Sequence, residues 1–127
     1  MDAVRIRGIR GATTAEDNTE SSILETTREL LTRLISVNLI AVEDIAAILF
    51  TATPDLNATF PARAARDLGF VNVPLMSSQE MEVPDAPQRC IRVLLLVNTT
   101  RKGHELTHLY LRGAAALRAD LASGLKI

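Results

Sequence analysis

Apolar residues recur at helical spacing in one long stretch of the chain. Ile23, Leu24, Leu30, Leu31, Leu34 and Ile35 fall on a single stripe, with Glu25 and Glu29 on the opposite side. This predicts one long helix over residues 20–36, and Asn18 or Thr19 is suited to cap it after the polar connection 13–19. Elsewhere the pattern has the length and composition of strands. Residues 4–11 space β-branched side chains with arginines, and Gly8 inside that run suggests a bulge, which leaves open the face on which Arg10 ends. Further strands are predicted at 45–51, 71–76, 90–98 and 106–111, with a short turn at 42–44. Thr53-Pro54-Asp55-Leu56-Asn57 is turn chemistry. The segment 60–68 follows, with Pro61 at a natural first helical position, and is long enough for about two turns of helix. Pro84 and Pro87 mark the connection before the fourth strand, and an alanine-rich tail follows the last one. One long helix and one short helix amid about five strands predict an α+β fold, α/β-like in having a mixed sheet. With no repeats, low-complexity tracts or linkers, residues 1–127 are expected to form a single domain.

Composition narrows the class. A chain with 47% hydrophobic and 23% charged residues is neither disordered nor fibrous. A net charge of −1 provides no broad attraction for nucleic acid. A single cysteine, Cys90, excludes an internal disulfide and a multi-cysteine metal site, and it reads as a small buried hydrophobe. No apolar block approaches the roughly 20 residues of a membrane span, and no basic-then-apolar leader precedes the first strand. The expectation is a soluble, cytoplasmic protein with no membrane partner. Among the 14 basic residues only Lys102 and Lys126 are lysines, and the rest are arginines. Codon bias in a GC-rich genome suffices to explain that excess, so position rather than number identifies the arginines that matter.

Arg92 is the most informative position. It interrupts the otherwise apolar run Cys90-Ile91-Arg92-Val93-Leu94-Leu95-Leu96-Val97, sharing a strand face with Cys90, Leu94 and Leu96. Both faces of that strand read as buried, so the guanidinium needs a charged partner or forfeits several kcal/mol. A structural ion pair and an arginine awaiting an anionic ligand both satisfy that requirement. Glu80, in Ser77-Ser78-Gln79-Glu80-Met81-Glu82, is the candidate partner, against the alternative of an exposed loop glutamate. Tyr110, the only tyrosine, fits a core position with a satisfied hydroxyl. His104 and His108 are four apart, but no third ligand lies near them in sequence, so no metal is assigned. No nucleophile triad, phosphate loop or dinucleotide fingerprint is present. Residue chemistry alone therefore reaches an arginine- and carboxylate-containing pocket suited to a small anion.

Taken together, the motifs resemble a family. Ile6-Arg7-Gly8-Ile9-Arg10-Gly11-Ala12-Thr13-Thr14 is similar to the amino-terminal signature of the monofunctional AroH-class chorismate mutases. The register continues through Ala52-Thr53-Pro54-Asp55-Leu56, Phe60-Pro61-Ala62-Arg63-Ala64, Gln79-Glu80-Met81, Cys90-Ile91-Arg92-Val93, His108-Leu109-Tyr110-Leu111 and Leu117-Arg118-Ala119-Asp120-Leu121. The resemblance implies a homotrimeric pseudo-α/β-barrel with sites between neighbouring chains. It also implies a Claisen rearrangement of chorismate to prephenate, on the way to phenylalanine and tyrosine, with no cofactor and no metal. Carried over by position, Arg10 and Tyr110 would bind substrate carboxylate, Arg92 would meet the ether oxygen and Glu80 the ring hydroxyl. Met76, Ser77, Ser78, Gln79 and Glu80 match the binding segment, and Phe60, Arg63, Arg66, Leu117 and Arg118 match residues around the cleft. Two departures stand out: Ser77 where relatives can carry cysteine, and a tail motif at 117–121 without its proline. The competing readings are a trimeric small-molecule hydrolase or deaminase of similar shape, and a non-catalytic metabolite-binding module.

Overall fold

The structure is a computed structural model, and it describes residues 2–117. Five strands and two helices follow one another as β1 (Arg5–Thr14), α1 (Glu20–Asn38), β2 (Ile45–Ala52), α2 (Arg63–Asp67), β3 (Leu75–Gln79), β4 (Cys90–Thr99) and β5 (Leu109–Tyr110). Single 3-10 turns occupy Val42–Asp44, Gly103–Glu105 and Arg112–Ala116. The strands form one mixed sheet in the order β3-β2-β4-β1-β5. β4 is antiparallel to both β1 and β2, whereas β3 runs parallel to β2 and β5 parallel to β1. This is the α+β arrangement expected from the sequence.

The long helix forms where its apolar stripe requires it and runs two residues further than expected. Thr19 caps it, its hydroxyl accepting the Ser22 N–H at 3.2 Å. The helix stops where Leu39 takes a left-handed conformation, φ 52°, and its N–H returns to the carbonyls of Ile35 and Ser36. Ile23, Leu30, Leu31 and Leu34 are fully buried, while Leu24 and Ile35 pack at the margin. All but Ile23 join the cluster of Ile9 of β1, Ile48 and Phe50 of β2, and Val93, Leu95 and Val97 of β4, while Ile23 packs in a second cluster with Ala15, Leu56 and Ile91. Each such side chain contributes on the order of 2 kcal/mol by leaving water. β1 and α1 approach closely at Gly11, where an added Cβ would lie 2.6 Å from Leu34 Cδ1 and 3.0 Å from Val93 Cγ2.

Four expectations need correction. β1 keeps unbroken register with β4 through Gly8, and the irregularity lies instead in β2, between Ile45 and Ala47. The third strand begins at Leu75, not at residue 71: Gly69 (φ 91°) opens a turn through 71–73, and Pro74 offers β2 its carbonyl but no N–H. The fifth strand is only Leu109–Tyr110, because Thr107 takes its hydrogen bonds from the Asn38 side chain rather than from a strand. The short helix begins at Arg63, with Pro61 in the turn before it.

Candidate active site

The register places most of the chemistry on one face of the sheet. Arg10 lies opposite Leu94, and Ala12 lies opposite both Arg92 and Tyr110. Thr51 lies opposite Arg92 and Ser78, and Leu49 opposite Leu94 and Met76. Strand neighbours across a ladder share a face, so Arg10, Thr51, Met76, Ser78, Arg92 and Tyr110 project to the side away from α1. The β4 face carrying Arg92 is consequently not buried within one chain, contrary to expectation. Leu94 is 37% exposed, Ile6 61% and Met76 65%.

At one end of that face is a cavity of about 570 Å³, walled by Glu80, Cys90 and Arg92, by the loop 83–87, and by Ala116 and Leu117. Glu80 just follows β3, where its N–H continues the ladder to the Ala52 carbonyl at 2.9 Å. Its Oε2 accepts the Thr51 hydroxyl at 2.7 Å and lies 3.2 Å from Arg92 Nε. The expected pairing of Arg92 with Glu80 is therefore present. It is an ion pair and no more: Nε is buried and makes no hydrogen bond, so the contact is too oblique to count as one. The rest of the guanidinium remains partly open, with 42% of the side chain exposed.

The start of β4 is clamped. Thr53 and Cys90 exchange backbone and side-chain hydrogen bonds, with the Cys90 N–H donating to Thr53 Oγ1 at 2.9 Å and the Thr53 N–H to the Cys90 carbonyl at 3.0 Å. Asp55 accepts the Thr53 hydroxyl and, through both oxygens, the Arg89 N–H at 3.1 and 2.9 Å. The turn chemistry of Thr53-Pro54-Asp55 thus fixes the strand from which Arg92 projects. Burial pushes the Cys90 thiol above its usual range, with the neighbouring Arg92 pulling the other way and Glu80 adding to the rise.

Apart from Leu117, the remaining expected residues do not line this cavity. Ser77 and Gln79 point to the other side of β3 and line, with Phe60, Arg63 and Glu20, a second cavity of about 710 Å³. Arg63 Nη1 lies 2.8 Å from Glu20 Oε1 and donates to Thr59 Oγ1 at 3.0 Å, and Phe60 is 67% exposed. Arg66 is exposed one turn further along α2 and lines neither cavity. Leu117 reaches the first cavity, and Arg118 lies outside the described residues. His108 Nδ1 accepts the Arg10 N–H at 2.9 Å, fixing the start of β5 to β1. Among the described residues no group of three metal-ligating side chains occurs.

Residues 6–121 match the chorismate mutase type I family. The chain belongs to that family. A chorismate mutase AroH from Thermus thermophilus is 48% identical over 119 residues, which are 93% of this chain and 98% of that protein. A chorismate mutase AroH from Bacillus subtilis (strain 168) is 46% identical over 118 residues, 92% of this chain and 93% of that protein. A solved chorismate mutase from Clostridium thermocellum has the same fold, with a TM-score of 0.84 at 44% identity, over 85% of this chain and 96% of that one. Within this family member, sequence reasoning missed Thr51 and Thr53. Cys90 is the small buried hydrophobe expected, 2% exposed, and on the face it shares with Arg92 it also walls the cavity. Thr51 carried no signal without the β2–β4 register.

Proposed function

We propose that this chain catalyses the Claisen rearrangement of chorismate to prephenate, and that the cavity at Arg92 and Glu80 is where the reacting bonds lie. The observation that carries the reading is that pair: a half-open guanidinium, held beside a carboxylate on a clamped strand, in a chain of this family. The reaction is unimolecular and pericyclic. One C–O bond breaks, one C–C bond forms, and no proton changes place. A catalyst holds the flexible dianion in its compact shape and stabilises charge as the C–O bond opens. Arg92 donates to the ether oxygen as negative charge grows there, and Glu80 takes the ring hydroxyl and favours the positive charge on the other fragment. Arg10 and Tyr110, on the same face, hold a substrate carboxylate, with Met76 and Ser78 beside them. One well-placed donor of this kind is worth about 3 kcal/mol of barrier.

The active form is a homotrimer, working in the cytoplasm. Phe60, Arg63 and Arg66 complete the site of a neighbouring chain, together with Ser77 and Gln79. Two features support this: the second cavity shares only Thr53 with the first within one chain, and the Arg92 face leaves Ile6, Leu94 and Met76 open. Leu117 closes the first cavity from its own chain, and Arg118 follows it.

Loss of chorismate absorbance on adding purified protein tests the activity. Turnover is expected, with kcat nearly flat from mildly acidic to mildly alkaline pH and no appreciable solvent deuterium effect. A bell-shaped profile would point to proton transfer and the hydrolase or deaminase reading, and binding without turnover to a sensor.

A further inference from the structure

Thr51 stands near the cavity end of the Arg92 face, on β2, directly opposite Arg92 across the β2–β4 ladder and opposite Ser78 across β2–β3. Its hydroxyl donates to Glu80 Oε2 at 2.7 Å. The same oxygen lies 3.2 Å from Arg92 Nε, and that nitrogen is the one buried side-chain polar atom among the described residues that lacks a hydrogen-bond partner. A buried N–H beside a carboxylate ordinarily turns into line with it, since leaving it unpaired costs about 1–3 kcal/mol. Here the carboxylate is held by a different donor, in an orientation that keeps the pair from closing. We propose that Thr51 is a positioning residue for the rearrangement: its hydroxyl sets the Glu80 carboxylate and keeps Arg92 from being spent on an internal hydrogen bond. This rests on the assignment of Glu80 and Arg92 to the reacting bonds.

The chemistry follows from the carboxylate's freedom. Glu80 can rotate about its terminal torsion, a broad, nearly two-fold barrier that burial alone does not fix. A hydrogen bond from a β-strand hydroxyl fixes it, because the threonine side chain is stiff about its first torsion. Without that bond the carboxylate swings toward Arg92 and closes the ion pair. Arg92 then gives less to an ether oxygen, and Glu80 no longer faces the ring hydroxyl. Both losses fall on the transition state more than on substrate binding.

The test compares Thr51→Val, nearly equal in shape but without the hydroxyl, with Thr51→Ser, which keeps it, and with Thr51→Ala should the valine variant not fold. Each is made in the parent protein and in a Glu80→Gln background, with kcat and KM measured on chorismate at enzyme concentrations high enough for slow variants. The expected result is that Thr51→Val or Thr51→Ala lowers kcat about tenfold, or 1.4 kcal/mol, with a smaller change in KM. Thr51→Ser stays within about twofold of the parent, and removing the hydroxyl in the Glu80→Gln background costs less than about twofold more. Unchanged kcat in the hydroxyl-less variants, a serine variant as poor as they are, or penalties that multiply in the double variants would each overturn the proposal. No turnover by the parent protein would instead overturn the site assignment on which it rests.

Discussion

The two faces of the sheet are built to different specifications. Toward α1 the side chains of Ile9, Ile48, Phe50, Leu95 and Val97 are at most 5% exposed and meet a helix whose stripe matches them. On the other face, strands of the same β-branched and leucine-rich composition carry Arg10, Thr51, Arg92 and Tyr110 and leave Leu94 and Met76 open. Among the described residues this face is covered at one end, where Ala114 packs on Ala12 and Cys90. The first face is finished within the chain chiefly by hydrophobic burial, with a buried Thr13–Thr26 hydroxyl contact at 3.1 Å. The second is held by directional contacts, from the Thr51–Glu80 bond to the Thr53–Asp55 clamp. If the proposed site is right, stability depends chiefly on one face and catalysis on the other, and substitutions should separate along that line.

The largest effects should separate most clearly. Leu95→Ala, on the closed face, is expected to cost about 3 kcal/mol of folding free energy by denaturant unfolding. Arg92→Lys, three residues away on the open face, should fold normally yet lose at least about 100-fold in kcat, or 2.7 kcal/mol, because an ammonium lacks the planar fork. A lysine variant with near-normal turnover would remove Arg92 from its role. The two glycines of β1 sharpen the contrast within one strand. At Gly11 a methyl group meets Leu34 and Val93 in the core, so Gly11→Ala should destabilise by about 2 kcal/mol. At Gly8 it meets the ends of Leu94, at 3.3 Å, and Leu96, at 3.9 Å, on the open side, and the change should be within about 0.5 kcal/mol.

Smaller effects follow from Cys90 and from the surface. Because burial raises the Cys90 thiol, the folded chain holds its proton in alkaline solution after the unfolded chain has lost it. The stability this lends is complete below the thiol's ordinary value of 9.0 and is lost as pH rises toward the folded value. Iodoacetamide should accordingly label Cys90 slowly in native protein at mildly alkaline pH, and quickly after unfolding. The exposed Arg112–Glu29 pair, at 3.1 Å, should matter least: Arg112→Ala is expected to change stability by under 1 kcal/mol, and less at high salt.

The closed face was the legible one. Helical spacing from Ile23 to Ile35 and the alternation through Ile91, Val93, Leu95 and Val97 each encode one buried side, which a single chain completes. Arg92 and Glu80 were legible as a pair because a charge inside an apolar run demands a partner. What failed had two sources, chain breakers close by and contacts distant in sequence. Val71 and Val73 imitate a strand, but Gly69 and Pro74 turn them into a connection. The burial expected for both sides of β4 was misjudged, because the Arg92 face has the composition of a core yet leaves Leu94 37% exposed. Thr51 looks like any strand threonine until the register places it against Arg92.

That a second copy of the chain finishes the open face is tested most directly by mixing subunits. On the proposed reading, Arg10, Glu80 and Arg92 would form one side of a shared site and Phe60, Arg63 and Arg66 the other, a head-to-tail contact that a ring would repeat. An Arg92→Ala variant and an Arg63→Ala/Arg66→Ala variant are unfolded together and refolded, and formation of mixed oligomers is verified. On random assortment about a quarter of the interfaces regain two intact sides, so chorismate turnover should exceed the mean of the two variants refolded separately. Turnover equal to that mean, with mixed oligomers present, would contradict a site divided between chains.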